Sequence, residues 1–139
     1  MRKYYLFLID SYVIDSYITD TESLYKIIKK LHNSKLNIKY KLSIYDQIIN
    51  HIDKDVITNY IENKYDNFIK HNNKYLLKFD DEICLTEIKH SCAIVISNKN
   101  YSNMFNVLKI YNKNFFICDF ENEDYFFIDI INNLNKKHI

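Results

Sequence analysis

The sequence contains no glycine, no proline, no tryptophan and a single arginine, Arg2. Without glycine there is no P-loop and no dinucleotide fingerprint, since both need a residue lacking Cβ where backbone approaches phosphate. An EF-hand loop is excluded for the same reason. Without proline there is no polyproline linker and no cis-proline turn. Left-handed backbone positions must then fall to Asn or Asp, the residues other than glycine that tolerate them best. Cysteine is scarce as well: Cys84, Cys92 and Cys118 are an odd set without framework spacing. Reduced thiols and a cytoplasmic location are therefore expected. Long apolar runs are also missing. Tyr4–Ile9 ends at Asp10 after six residues, too short for a signal-peptide core or a membrane span, so no membrane association is expected.

What is present is a chain of 139 residues, 47% apolar and 27% charged, the length and composition of one soluble domain covering 1–139. A core of this size forms without a disulfide or a metal. The chain holds 23 Ile, 18 Lys, 18 Asn and 13 Tyr. These residues share AT-rich codons, so composition reports genome base content at least as much as function. Net charge is +1 but unevenly spread: residues 21–41 carry six lysines and one glutamate, and residues 115–131 carry five carboxylates and no lysine.

Tyr4–Ile9, continuous and rich in aromatics, reads as a buried strand. Apolar spacing of one helical turn through Tyr12, Val13, Ile14, Tyr17 and Ile18 predicts a short helix. Thr19-x-x-Glu22 predicts a capping box opening a second helix, with Leu24, Ile27, Ile28 and Leu31 on one face and Asn33 as its stop. Ser43-x-x-Asp46 predicts another helix start, ahead of Ile44, Ile48, Ile49 and Ile52, broken at Asp53-Lys54-Asp55. A further helix is predicted from Val56 to Ile69. The period then changes to that of strands: Tyr75–Phe79, Glu82–Lys89 and Cys92–Ser97 predict a β-meander. Asn100–Tyr111 returns to helical spacing, and Phe115–Phe120 with Tyr125–Ile131 predicts a closing hairpin. This order predicts an α+β fold, with three to four helices packed on a mostly antiparallel sheet of five to six strands.

No catalytic constellation emerges. Cys84, His90 and Cys92 form a C-x5-H-x-C pattern, but zinc wants four ligands with closer pairs, so no metal and no cofactor is expected and buried free thiols are. Cys92 and His90 are two apart and would share a strand face, the minimum for a thiolate–imidazole pair, yet no oxyanion nest accompanies them. The carboxylates Asp119, Glu121, Glu123 and Asp124 read as a polar hairpin turn. Lys26, Lys29, Lys30, Lys35, Lys39 and Lys41 with Tyr40 offer a basic surface for a nucleic-acid backbone. This alternative lacks the arginines that make bidentate base contacts. The aromatic residues exceed what such a core requires, and amphipathic rings are common interface anchors. Val13 and Tyr17, four apart, share a helix face in the segment where such rings are expected.

Three stretches together resemble the SirA family, the sporulation inhibitors of replication of endospore-forming bacteria. The opening Tyr4-Tyr5-Leu6-Phe7-Leu8-Ile9, continuing to Tyr17 and Glu22-Ser23, is similar to the family's opening. Tyr40-Lys41-Leu42-Ser43 through Ile52 is similar to its hydroxyl-capped helix. The clearest likeness runs from Ile94–Ser97 through Tyr101, Phe105-x-Val107-Leu108-Lys109, Phe116-x-x-Asp119-Phe120 and Tyr125-x-Phe127-Ile128. The resemblance implies a non-enzymatic inhibitor that binds the N-terminal domain of the replication initiator DnaA as a monomer and blocks assembly at the origin, with no direct nucleic-acid contact. It places the partner-binding residues at Val13, Tyr17, Asp46 or its neighbour Gln47, and Ile130. The family carries an aromatic where Val13 stands, a proline where Ile130 stands and a glycine where Glu123 stands.

Overall fold

Residues Arg2–Leu8 form β1, an interior strand of the sheet. In the computed structural model, which describes residues 1–33 and 37–128, its side chains alternate between two cores. Tyr4, Leu6 and Leu8 enter one, and Phe7 and Ile9 enter the other. A strand buried on both faces needs no polar alternation, which is why it reads as an unbroken apolar run. The chain continues through α1 (Ile14–Ile18), α2 (Thr21–Asn33), α3 (Ile38–Ile48) and α4 (Lys54–Lys64). It then forms β2 (Phe68–His71), β3 (Lys74–Phe79), β4 (Glu82–Ile88) and β5 (Ala93–Ser97), followed by α5 (Asn103–Tyr111), β6 (Phe115–Asp119) and β7 (Asp124–Phe127). The seven strands make one sheet in the order β2-β3-β4-β5-β1-β6-β7, with every pairing antiparallel.

Helices pack on both faces. On the first, Ile57 and Ile61 of α4 and Met104, Phe105 and Leu108 of α5 pack on Tyr75, Leu77, Cys84, Val95, Phe115 and Ile117. On the second, Leu24, Tyr25 and Ile28 of α2 and Ile48 at the end of α3 pack on Phe7, Phe116, Cys118 and Phe127. The α+β class is as predicted. The sheet gains a strand over expectation because Phe68 and Ile69 form β2 instead of ending a helix. Their apolar spacing fits either element, and pairing with β3 decides between them. Five helices are present among the described residues, one more than expected.

Two cap assignments change. The residue capping α2 is Asp20, whose carboxylate accepts from the Ser23 backbone N–H (3.3 Å) and the Ser23 hydroxyl (2.7 Å); Thr19 ends α1. Ser43 does not open α3 but sits inside it, because Asn37 already caps the helix by accepting from the Lys39 N–H at 2.9 Å. Asp53 does precede α4, but the break is shorter and earlier than expected: α3 already ends at Ile48, where Ile49 turns extended to bridge β1, and Lys54 and Asp55 belong to α4.

Among the described residues, three hold positive φ: Asn72 at 56°, Asp80 at 28° and Glu123 at 53°. Asn72 and Asp80 follow the expectation for a glycine-free chain. Glu123 does not, and it stands where the resembled family has glycine. Its turn is fixed by Asp119, which accepts from the Asn122 N–H and side-chain amide, while Lys29 reaches the Glu123 carboxylate at 3.2 Å.

Buried Glu82 ties the meander to α5. Its carboxylate accepts from the hydroxyls of Ser97 and Ser102 and from the backbone and side-chain N–H groups of Asn103, the last two at 2.9 Å. Burial alone would raise its pKa, but these donors outweigh burial and hold it below the ordinary value.

Candidate protein-binding surface

The two segments singled out from sequence meet at the end of β1. Ile9 forms a bridge with Ile49, the Asp10 N–H donates to the Ile48 carbonyl (2.8 Å), and the Asn50 N–H donates to the Leu8 carbonyl (2.7 Å). The last turn of α3 is thereby fastened beside the start of α1. Asp10 shapes that start. Its side chain accepts from the Tyr12 N–H at 2.8 Å, and its carbonyl accepts from Val13 and Ile14. A five-residue helix is too short to persist alone. This one is bracketed by the turn at Asp10 and by Asp20, whose N–H donates to the Tyr17 carbonyl.

α1 has no fully buried residue. Val13, Ile14 and Tyr17 are half-buried against the second core, while Tyr12 is 94% exposed and Ile18 41% exposed. Val13 caps α1 from outside the helix, and both it and Tyr17 lean inward onto the second core; the ring standing in solvent is that of Tyr12. The periodicity that included Tyr12 in the helix concealed this, since Tyr12 precedes the first helical residue.

On α3, Ile48 is buried and Ile44 and Tyr45 pack on the same core, so Asp46 and Gln47 face solvent. Leu42, four residues before Asp46 on the same face, is 56% exposed. The Asp46 carboxylate lies 4.0 Å from His51 Nε2, an ion pair only when His51 is protonated. Burial pushes the Tyr45 hydroxyl pKa up to about 12, so it remains a neutral donor throughout the physiological range. The cleft lined by Leu42, Tyr45, Asp46, Asn50, His51 and Ser91 is about 70 Å³, far below the 300–1,000 Å³ typical of small-molecule sites. Leu42 and His51 escaped the sequence reading because neither breaks a pattern; only the seating of α3 exposes them. Ile130 lies outside the described residues.

The other candidates separate. Cys84 belongs to the first core and Cys92 to the second, on opposite faces of the sheet. All three cysteines are free and buried, and burial raises each thiol pKa, Cys118 well above the usual range. His90 is exposed while Cys92 is not. No group of three or more His, Cys, Asp or Glu able to hold a metal occurs among the described residues. The hollow between α4 and α5, about 340 Å³, is lined by Val56, Ile57, Tyr60, Val107, Ile110 and Tyr111, so its only polar side-chain groups are two phenols.

Within the basic segment, Lys26 pairs with Glu22 (3.0 Å), and Lys29 both meets Glu123 and lies over the Tyr25 ring. His32 stacks on Phe120 at 4.7 Å; burial, then Lys41 and Lys3, lower its pKa, so it adds no charge at neutral pH. Lys30, Lys39 and Tyr40 are exposed, and Lys35 lies outside the described residues. No described helix is long and apolar enough to cross a membrane.

Fold and surface together define a small α+β protein in which exposed Tyr12 and Leu42 stand with the polar Asp46 and Gln47 where α1 adjoins the end of α3. It belongs to the SirA family: the family model described as sporulation inhibitor of replication protein SirA matches residues 2–132. No curated protein matches the sequence. The family is one of regulatory replication inhibitors and is not a known enzyme family.

Proposed function

We propose that this protein inhibits replication initiation without catalysis, by occupying the N-terminal domain of the initiator DnaA so that the initiator cannot assemble at the origin. The observation that carries this reading is the junction of α1 with the last turn of α3. Family membership points to a replication inhibitor, and the residues that the family resemblance assigns to partner binding, Val13, Tyr17, Asp46 and Gln47, fall on these two adjoining segments. Val13, Tyr17 and the protruding Tyr12 supply apolar area, and Asp46 and Gln47 supply hydrogen-bonding groups at its edge. Ile130 is the further contact implied by the resemblance. The mechanism is steric and needs one partner domain per monomer.

Titration calorimetry of the full chain with the purified DnaA N-terminal domain tests the proposal. A saturable complex, weakened by Tyr17→Ala and by Gln47→Ala with the fold intact, is the expected result. Absence of a complex overturns it. DNA binding that falls steeply with salt, with no affinity for the initiator domain, would favour the lysine-rich surface of residues 26–41 instead.

A further inference from the structure

We infer that the half of the sheet left bare by α1–α3 is a second docking face, and that it takes an acidic amphipathic helix of another protein. The three helices cover the second face of the sheet over β1, β6 and β7. The same face continues across β5, where Ile94 still packs on the second core, and then across β4, β3 and β2, none of whose residues belongs to that core. There the register sets Ile96 opposite Leu85, Leu85 opposite Leu76 and Leu76 opposite Ile69. The result is one apolar row across four strands. Ile69 is 66% exposed and Leu76 37%, and Ile83, beside the row on β4, is 50% exposed. The solvent side of an antiparallel sheet ordinarily carries polar residues, as β3 itself does at Lys74 and Lys78. Single apolar residues on a surface need no explanation, but a contiguous row of them marks an interaction site.

The surrounding charge selects the occupant. Lys74 and Lys78 flank Leu76 on the same face of β3, and Lys3 lies opposite Ile96 where the row meets β1. Glu87, opposite Lys74, is the acidic residue on this stretch of β4. Three amines against one carboxylate favour a partner that brings carboxylates. A second copy would set lysine rim against lysine rim and is disfavoured for that reason. Dimensions select the shape. Strands are roughly 4.8 Å apart, so a row of four spans about 14 Å. Apolar residues at i, i+4, i+7 and i+11 of a helix span about 16 Å. A helix of three turns with carboxylates along its flanks therefore matches both row and rim. This face is separate from the junction of α1 and α3, and the inference does not rest on initiator binding.

The test uses two synthetic helical peptides with leucine at i, i+4, i+7 and i+11, one with glutamates and one with lysines on the flanks, titrated into the isotope-labelled full chain and followed by amide NMR shifts. The glutamate peptide should shift amides of β3, β4 and β5. Its affinity should fall at least tenfold in Leu76→Asp and in the double variant Lys74→Glu, Lys78→Glu, whose altered side chains all face solvent and whose circular dichroism should match that of the parent. Absence of these shifts, shifts confined to α1 and α3, or equal binding of the lysine peptide would overturn the inference. So would sedimentation showing a dimer of the chain alone that Leu76→Asp abolishes, since that assigns the face to a second copy.

Discussion

Replacing Tyr12 with alanine isolates binding from folding. The ring is 94% exposed, and the residue is located by a hydrogen bond from its backbone N–H to Asp10, which alanine retains. Stability should therefore change by no more than about 0.5 kcal/mol. If the initiator seats on α1, the ring passes from water into the interface. Burying on the order of 150 Å² of tyrosine at about 25 cal/mol/Å² gives a gross gain of about 4 kcal/mol. Ordering the side chain returns about 1 kcal/mol of that. The expected loss is about 2–3 kcal/mol, roughly a 30- to 150-fold rise in Kd, read by calorimetry against the DnaA N-terminal domain. Tyr17→Ala provides the contrast. Because Tyr17 packs on the second core, its loss should lower the melting temperature as well as cost about 2 kcal/mol of binding. An unchanged Kd for both variants would remove α1 from the interface and refute the argument.

Glu82→Gln should cost about 2 kcal/mol in urea unfolding with an unchanged m value, since two charge-assisted bonds from Ser97 and Ser102 are replaced by weaker neutral ones; Glu82→Ala, which strands the same donors, should cost about 3 kcal/mol or more. Acid should act through Glu82 and Asp119. Burial opposes their ionised forms, but hydrogen bonds from Ser102, Ser97 and Asn103 to Glu82, and from Asn122 and Arg2 to Asp119, hold both pKa values below the ordinary 4.5 and 3.8. The unfolded chain therefore binds more protons in that window. The stabilisation from this pair is fully present above the ordinary values and drains away as pH falls through the depressed ones. A melting temperature that rises on acidification from pH 5 to 3 would contradict this. Alkylation of the three buried thiols at neutral pH should be slow and unselective in the folded protein, becoming fast in urea; one cysteine reacting rapidly in the folded state would reopen a thiol chemistry.

Much of the fold could be read locally. Strands β1 and β6, apolar on both sides, appear as unbroken runs, and β3 keeps a period of two at Tyr75, Leu77 and Phe79, although Leu76 interrupts its polar side. The readings that failed did so where two local signals compete. Ser43-x-x-Asp46 has the residues of a cap, but Asn37 caps first, and a serine inside a helix simply turns outward. Phe68 and Ile69 continue a helical period, yet β3 offers them a ladder. The interface region was legible as a segment and not as a surface. Spacing put Val13 and Tyr17 on one face, but whether that face leans in or out depends on how α1 sits on α2 and the sheet. The bare row on β2–β5 was invisible, because Ile69, Leu76, Leu85 and Ile96 belong to four segments that only strand register aligns.

The amino-acid sequence by itself determined the α+β class, the meander, the closing hairpin and the lack of any glycine-built phosphate loop. Each follows from side-chain periodicity or from a residue type that a given backbone geometry requires. Tertiary structure alone decided that β1 lies between β5 and β6, that Ile9 and Ile49 fasten α3 beside α1, and that Tyr12 is the ring left in water. Those outcomes depend on contacts between residues far apart in the chain. Local pattern says which side chains must leave water, while long-range pairing says against what they do so.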